Sequence, residues 1–213
     1  MGTVVATFNM FLILKYVTSP ISDFQNAFNS YTLSQHWTHY SKNGGPKQVG
    51  NRHSVDCGDD SMLFSFNFDY DSLNDQVRII YSCIEYLDTA IFPKGTEPRE
   101  TSQTDSGELW TGRNSMQSLS KHEVNCNSTF ITSWFLRQWS HSMSIMYQCT
   151  NHRTSFPEHC RIRRSADVTA NHHKLSAFRF TVVKCTHGTA LTQFKFDNKV
   201  FEYTCCPQSF LVE

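Results

Sequence analysis

The chain has no excess charge: 19 lysines and arginines stand against 19 aspartates and glutamates in 213 residues. A balanced chain has no net field to hold a polyanion, which argues against nucleic acid or an anionic membrane as a partner. No apolar run is long enough to cross a bilayer, so no transmembrane segment is expected. Cys-x-x-Cys is absent, and the one adjacent pair, Cys205 and Cys206, is poorly placed to supply two ligands to one zinc ion. A Gly-x-Ser-x-Gly elbow is also absent, and nothing singles out a nucleophile with its base. The ten histidines include His36 and His39, the neighbours His172 and His173, and His159 beside Cys160. None shares with a carboxylate the spacing of a recognised metal site, so neither a metal nor a cofactor is expected, and solvated or core histidines are the simpler reading.

What the chain does contain is cysteine in an even number: Cys57, Cys83, Cys126, Cys149, Cys160, Cys185, Cys205 and Cys206. A reducing cytosol offers little reason to keep eight thiols without metal or redox spacing, so disulfides and an oxidising compartment are expected. The run from Val4 to Leu14 resembles a short signal-peptide core, although no basic residue precedes it and Asn9 interrupts it. Asn127-Ser128-Thr129 is an N-glycosylation sequon, adjacent to a cysteine expected to be oxidised. Both features point to a secreted, extracellular protein.

Three segments can be laid over one another. Each reads Val-x-Cys, then a strand with a central aromatic eight or nine residues after the cysteine, then a turn and a strand ending Tyr-x-Cys. The Val-x-Cys residues are Val55–Cys57, Val124–Cys126 and Val183–Cys185, the central aromatics Phe66, Trp134 and Phe194, and the closing pairs Tyr81 and Cys83, Tyr147 and Cys149, Tyr203 and Cys205. Repetition of this kind is a signal at the level of the fold. Period two marks the strands: Phe64, Phe66 and Phe68 alternate with Ser65 and Asn67, and Phe201 and Tyr203 with Glu202 and Thr204. Asp197-Asn198 suits a tight hairpin turn, Ser140 to Ser142 a polar turn, and Asp69 to Asp75 the longest of the three. A further strand is expected to lead into each first cysteine, most clearly over Leu175–Val183 and more weakly over Val49–Val55 and Leu119–Val124. A hairpin alone cannot bury its face. The expected fold is therefore all-β, with three pseudo-repeated antiparallel sheets stapled by disulfides and arranged like a β-prism about Phe66, Trp134 and Phe194. Residues 1–40 are expected to lie outside this unit, with a short helix near Asp23–Tyr31. One domain then spans 41–213, with repeats near 49–87, 118–150 and 174–206 and a long loop over 88–117.

The repeat selects among the pairings that eight cysteines allow. It suggests Cys57 with Cys83, Cys126 with Cys149, Cys185 with either Cys205 or Cys206, and Cys160 with the remaining one.

The layout over about residues 50–206 resembles two animal extracellular families. The stretch Leu73-Asn74-Asp75-Gln76-Val77-Arg78 leading to Cys83, with the closing Cys205-Cys206, is similar to the repeat of the vitelline membrane outer layer proteins. The alternation of cysteine, strand, acidic turn, strand and cysteine is similar to dermatopontin, without its Asp-Arg-x-Trp motif. The first resemblance implies a β-prism. Both imply secretion and a role in extracellular coats or matrix, with coat or matrix components and glycans as partners, rather than catalysis. The Gly-rich acidic loops of the first family are missing here.

Three groups of residues invite a ligand or a modification. Trp37, Trp110 and Trp139 lie outside the inward positions, and Trp110 and Trp139 are the candidates for stacking on a sugar. Arg161-Ile162-Arg163-Arg164 has the form of a proteolytic processing site before Ser165, and equally of a solvated basic patch. Asp59 and Asp60 with Glu123 could form a carboxylate pair for glycoside hydrolysis, against the simpler reading of solvated loop acids. A structural coat or matrix protein with affinity for glycans is the first expectation. A membrane- or receptor-engaging β module, toxin-associated or lectin-like, is the second, and a carbohydrate-active enzyme the third.

Overall fold

The computed structural model describes residues 31–42, 52–86, 96–105, 119–138, 142–154, 157–168, 175–197 and 199–208. The chain in these residues is all-β. Copy one contains β1 (Tyr31–Trp37), β2 (Ser41–Lys42), β3 (Ser54–Asp56), β4 (Ser61–Asp71) and β5 (Gln76–Tyr86). Copy two contains β6 (Thr96–Glu100), β7 (Thr104–Asp105), β8 (Glu123–Asn125), β9 (Thr129–Gln138) and β10 (Ser142–Arg153). Copy three contains β11 (Arg161–Arg164), β12 (Val182–Lys184), β13 (Thr189–Asp197) and β14 (Val200–Pro207).

Each copy forms its long hairpin, β4–β5, β9–β10 or β13–β14, and an outer strand extends it: β1 on β5, β6 on β10 and β11 on β14. The short strand before the first cysteine does not join its own hairpin. Instead β3 of copy one pairs with β9 of copy two, β8 of copy two with β13 of copy three, and β12 of copy three with β4 of copy one. The exchange closes a ring. Its register is the same three times: Val55 opposite Trp134, Val124 opposite Phe194, and Val183 opposite Phe66.

A β-bulge recurs at one place in each hairpin, at Phe64, Thr132 and Thr192. An extra residue leaves its backbone groups outside the ladder. Here the freed carbonyl accepts the amide of the incoming cysteine: Cys57 N–H donates to Thr132 O (2.9 Å), Cys126 to Thr192 O (2.9 Å) and Cys185 to Phe64 O (3.1 Å). The tyrosine of each Tyr-x-Cys donates to the carbonyl before the first cysteine of its own copy: Tyr81 to Asp56 O (3.2 Å), Tyr147 to Asn125 O (3.3 Å) and Tyr203 to Lys184 O (3.2 Å).

The three inner faces meet at the rings of Phe66, Trp134 and Phe194, with centroids 5.1, 5.2 and 5.3 Å apart. This near-equilateral triangle of buried aromatics is the centre of the core. Each such ring pair contributes about 0.5–1.5 kcal/mol beyond the area it buries. The arrangement is compatible with the expected β-prism.

The disulfides are Cys57–Cys83, Cys126–Cys149, Cys185–Cys205 and Cys160–Cys206. The first two are as expected, and the open choice between Cys205 and Cys206 is now made. Adjacent residues on a strand point to opposite faces, so Cys205 reaches in toward Cys185 while Cys206 reaches Cys160 beside it. The three equivalent bonds do more than close a hairpin: because β3, β8 and β12 lie in the neighbouring sheet, each joins two sheets. A bond closing a loop of this size stabilises by roughly 3 kcal/mol in the chain-entropy model.

Some expectations are corrected. The span 88–117 is not wholly loop, because Thr96–Glu100 is the outer strand of the second sheet, paired with Met146–Thr150. Its sequence, Thr-Glu-Pro-Arg-Glu, has no apolar residue other than Pro98, which is tolerated because one side of an edge strand needs no donor. Likewise Tyr31–Trp37 lies inside the 1–40 segment yet forms the outer strand of the first sheet. The strand expected over Leu175–Val183 is a 3-10 turn at Leu175–Phe178 followed by β12. Leu175, Ala177 and Phe178 are all buried, a spacing that suits a turn folded onto the core rather than a strand. Phe178 packs between Phe68, Phe196 and Phe201 at 5.0–5.1 Å. The leading strands of copies one and two are similarly short, Ser54–Asp56 and Glu123–Asn125. The helix expected at Asp23–Tyr31 falls outside the described residues, apart from Tyr31, which begins β1.

Candidate functional site

Because the inner faces are equivalent, differences in function must lie on the outer faces. The shared register makes these comparable. In the second sheet Ser54, Phe135 and Met146 stand in one row across β3, β9 and β10, and Asp56, Ser133 and Gln148 in the next. The corresponding rows are Val182, Asn67 and Ile80 with Lys184, Ser65 and Ser82 in the first sheet. In the third sheet they are Glu123, Lys195 and Glu202 with Asn125, Gln193 and Thr204. In the first sheet the row meets an aromatic ring, Trp37, on its outer strand; across the three strands compared, only the second sheet has one, Phe135.

That ring lines a half-open groove of about 170 Å³, bounded by Ser54, Asp56, Pro98, Ser133, Phe135, Met146, Tyr147 and Gln148. Three local features shape it. Trp134 is inward and Phe135 follows it, so the strand carries large side chains on both faces. Pro98 of the polar outer strand forms the far wall. Asp56 is fixed at the end of β3 by accepting the Gly58 amide (2.9 Å), and Gly58 takes a φ of +79° that suits only glycine without strain. The Ser133 hydroxyl donates to Gln148 Oε1 (3.0 Å), which fixes the carboxamide beside the groove. Burial raises the Tyr81 phenol above its ordinary pKa, and its O–H holds the Asp56 carbonyl from behind. An apolar ring face and Met146 thus oppose a carboxylate, a carboxamide and hydroxyls, the mixture suited to a small polyhydroxylated ligand.

In the third sheet the corresponding rows are occupied by paired charged and polar side chains. Glu202 receives Lys195 (3.0 Å) and Arg164 (2.8 Å), and these hydrogen bonds hold its carboxyl below the usual range. Glu123 accepts from Asn125 and Gln193. The first sheet carries Trp37, 63% exposed, in line with Ile80 and Val182.

The residues anticipated from sequence are scattered. Asn127 is exposed in a left-handed turn (φ 56°) directly after Cys126, its amide donating to Asn125 Oδ1 (2.7 Å). Trp110 and Trp139 lie outside the described residues. Arg161, Arg163 and Arg164 form β11 at the edge of the third sheet. Asp59 accepts a hydrogen bond from Thr96 beside the second sheet, while Glu123 is on the third. No group of three or more histidine, cysteine or acidic side chains suited to a metal ion occurs among the described residues. His53 and His122 are core histidines: His53 bridges Thr38 and Ser41 (2.6 and 2.8 Å), and His122 bonds Thr101 (2.8 Å). Burial lowers the pKa of both to about 4.

No family model matches the chain, and no match was found among curated proteins or solved structures. No helix in the described residues is long and apolar enough to cross a membrane.

Sequence reasoning missed the groove. Its one visible signal was Phe135, an aromatic at an outward position beside an inward Trp134.

Proposed function

We propose that this protein is a secreted structural component of an extracellular coat or matrix, and that the groove of the second sheet gives it affinity for glycans. The groove carries the reading: it is open, about 170 Å³ in volume, and sets the Phe135 ring beside Asp56, Ser133 and Gln148. Aromatic faces stack on the apolar C–H faces of sugars, and carboxylates and carboxamides take up pairs of hydroxyls. Asp56 is the one carboxylate among the lining residues, so the groove suits holding a glycan better than cleaving it, which would take two. Four disulfides suit an oxidising compartment, and the resemblance of the repeat layout to coat-protein repeats implies the same. A glycan array with the full chain tests the proposal. Neutral glycans bind, and Phe135→Ala or Asp56→Ala weakens binding at least tenfold with the fold intact by circular dichroism. An array with no binding, or binding insensitive to both substitutions, removes the groove from the account.

A second reading, engagement of a membrane or receptor, draws on the β4–β5 tip. Leu73 is 94% exposed there, on a turn fixed by Asp71 accepting the Leu73 amide (2.9 Å) and the Asn74 side chain (2.7 Å). Flotation with neutral phosphatidylcholine vesicles separates the two: a Leu73-dependent association favours this reading over the first.

A further inference from the structure

The fourth disulfide has no counterpart in the threefold pattern. The outer strands β1 and β6 carry no cysteine, whereas β11 begins directly after Cys160. Of the four bonds, Cys57–Cys83 and Cys126–Cys149 lie wholly before Arg164 and Cys185–Cys205 wholly after it. Only Cys160–Cys206 spans it. The same outer strand is the one that carries the arginine run, Arg161-Ile162-Arg163-Arg164.

We propose that β11 is a recognition strand for an arginine-reading endoprotease, that Arg164–Ser165 is its scissile bond, and that Cys160–Cys206 keeps the two products joined. Endoproteases take substrate as an extended strand, through main-chain pairing and pockets for alternate side chains. β11 is already extended and, among the described residues, pairs on one side only, with β14. Arg161, Ile162 and Arg164 are exposed, as are Ala166 and Asp167 beyond the bond. The Arg163 Nε atom is buried without a hydrogen-bond partner. Two ties must open. Arg164 leaves Glu202, a surface pair worth about 0–1 kcal/mol. Ser165 leaves Phe201, whose carbonyl accepts its amide (2.9 Å) and whose amide donates to its hydroxyl (2.9 Å). In the cleavage, water adds across the peptide bond. The C–N bond breaks, Arg164 gains a carboxylate, and the Ser165 nitrogen takes up the proton as a new amino terminus. Residues 1–164 and 165–213 then remain one covalent molecule through Cys160–Cys206.

The test incubates the oxidised full chain with a subtilisin-type protease specific for Arg-x-Arg-Arg, beside a control peptide containing Arg-Ile-Arg-Arg-Ser. A single band is expected without reductant and two bands with it, the smaller beginning Ser-Ala-Asp. Arg164→Ala, an exposed change that leaves the fold intact, slows cutting at least tenfold. Replacing both Cys160 and Cys206 by Ala gives two bands on a denaturing gel without reductant. An uncut chain while the control peptide is consumed, a different new terminus, or wild-type pieces that part without reductant overturns the proposal.

Discussion

In copies one and two, the residue that follows the outer strand is a threonine, Thr38 or Thr101, whose hydroxyl meets a buried histidine, His53 or His122. In copy three the equivalent hydroxyl is Ser165, and the place of the histidine is taken by Thr181, which donates to Phe178 O instead (2.7 Å). Around these differences the backbone frame is unchanged. Thr38, Thr101 and Ser165 each donate an amide to the facing strand, at Ile79, Ile145 and Phe201, and each accepts that residue's amide on its hydroxyl. The comparison teaches that the threefold frame is set by main-chain geometry and the central rings, while the polar layer around it is free to differ from copy to copy.

The largest expected effect follows from the two histidines. Each is neutral in the folded chain down to about pH 4, whereas in the unfolded chain it takes up a proton below about 6.5. The unfolded state therefore binds more protons through this interval. Stability is fully present above about pH 6.5 and falls as pH drops toward 4, by about 1.4 kcal/mol per pH unit for each histidine. Urea unfolding from pH 7.5 to 4.5 shows this slope. In a variant combining His53→Gln and His122→Gln the slope flattens, since copy three contributes no histidine at this position. A wild-type slope no steeper than that of the double variant would remove the histidines as its cause.

The central triangle is the part the copies share, so cutting any corner has a similar cost. Phe66→Ala and Phe194→Ala each destabilise by about 3–5 kcal/mol, measured by the urea midpoint. Unequal losses, with one ring nearly dispensable, would break the equivalence.

The smallest effect concerns the corner that differs. The Trp134 Nε1 atom is buried without a hydrogen-bond partner, at a position where the other copies have phenylalanine. A buried unsatisfied donor costs about 1–3 kcal/mol, which offsets the packing lost on shortening the ring. Trp134→Phe is expected to change stability by less than about 1 kcal/mol. A loss as large as that of Phe66→Ala would show that the indole fills space a phenyl ring cannot.

Much of the frame was legible because it rests on short-range patterns. Phe64, Phe66 and Phe68 alternate cleanly, and Val-x-Cys and Tyr-x-Cys bracket each hairpin, so hairpins, inward rings and most of the sulfur pairing could be read from spacing. The outer strands could not. Thr96–Glu100 is polar apart from Pro98 and Tyr31–Trp37 has no buried stripe, so neither shows a hydrophobic period; both form because a hairpin edge offers unpaired amides and carbonyls. The groove was hidden for a related reason. Pro98, Phe135, Asp56 and Gln148 come from four strands, and a pocket assembled across strands has no signature along any one of them.

The sequence by itself determined the three hairpins, their inward aromatics and the sulfur pairs of the first two copies, since each depends on residues close along the chain. Only the tertiary structure decided that each short strand joins the next copy rather than its own, that Cys205 pairs with Cys185 and Cys206 with Cys160, and that the second sheet opens into a groove. These depend on which edges meet in space. Backbone edges of like geometry are interchangeable until the rings at the centre and the freed bulge carbonyls fix one arrangement.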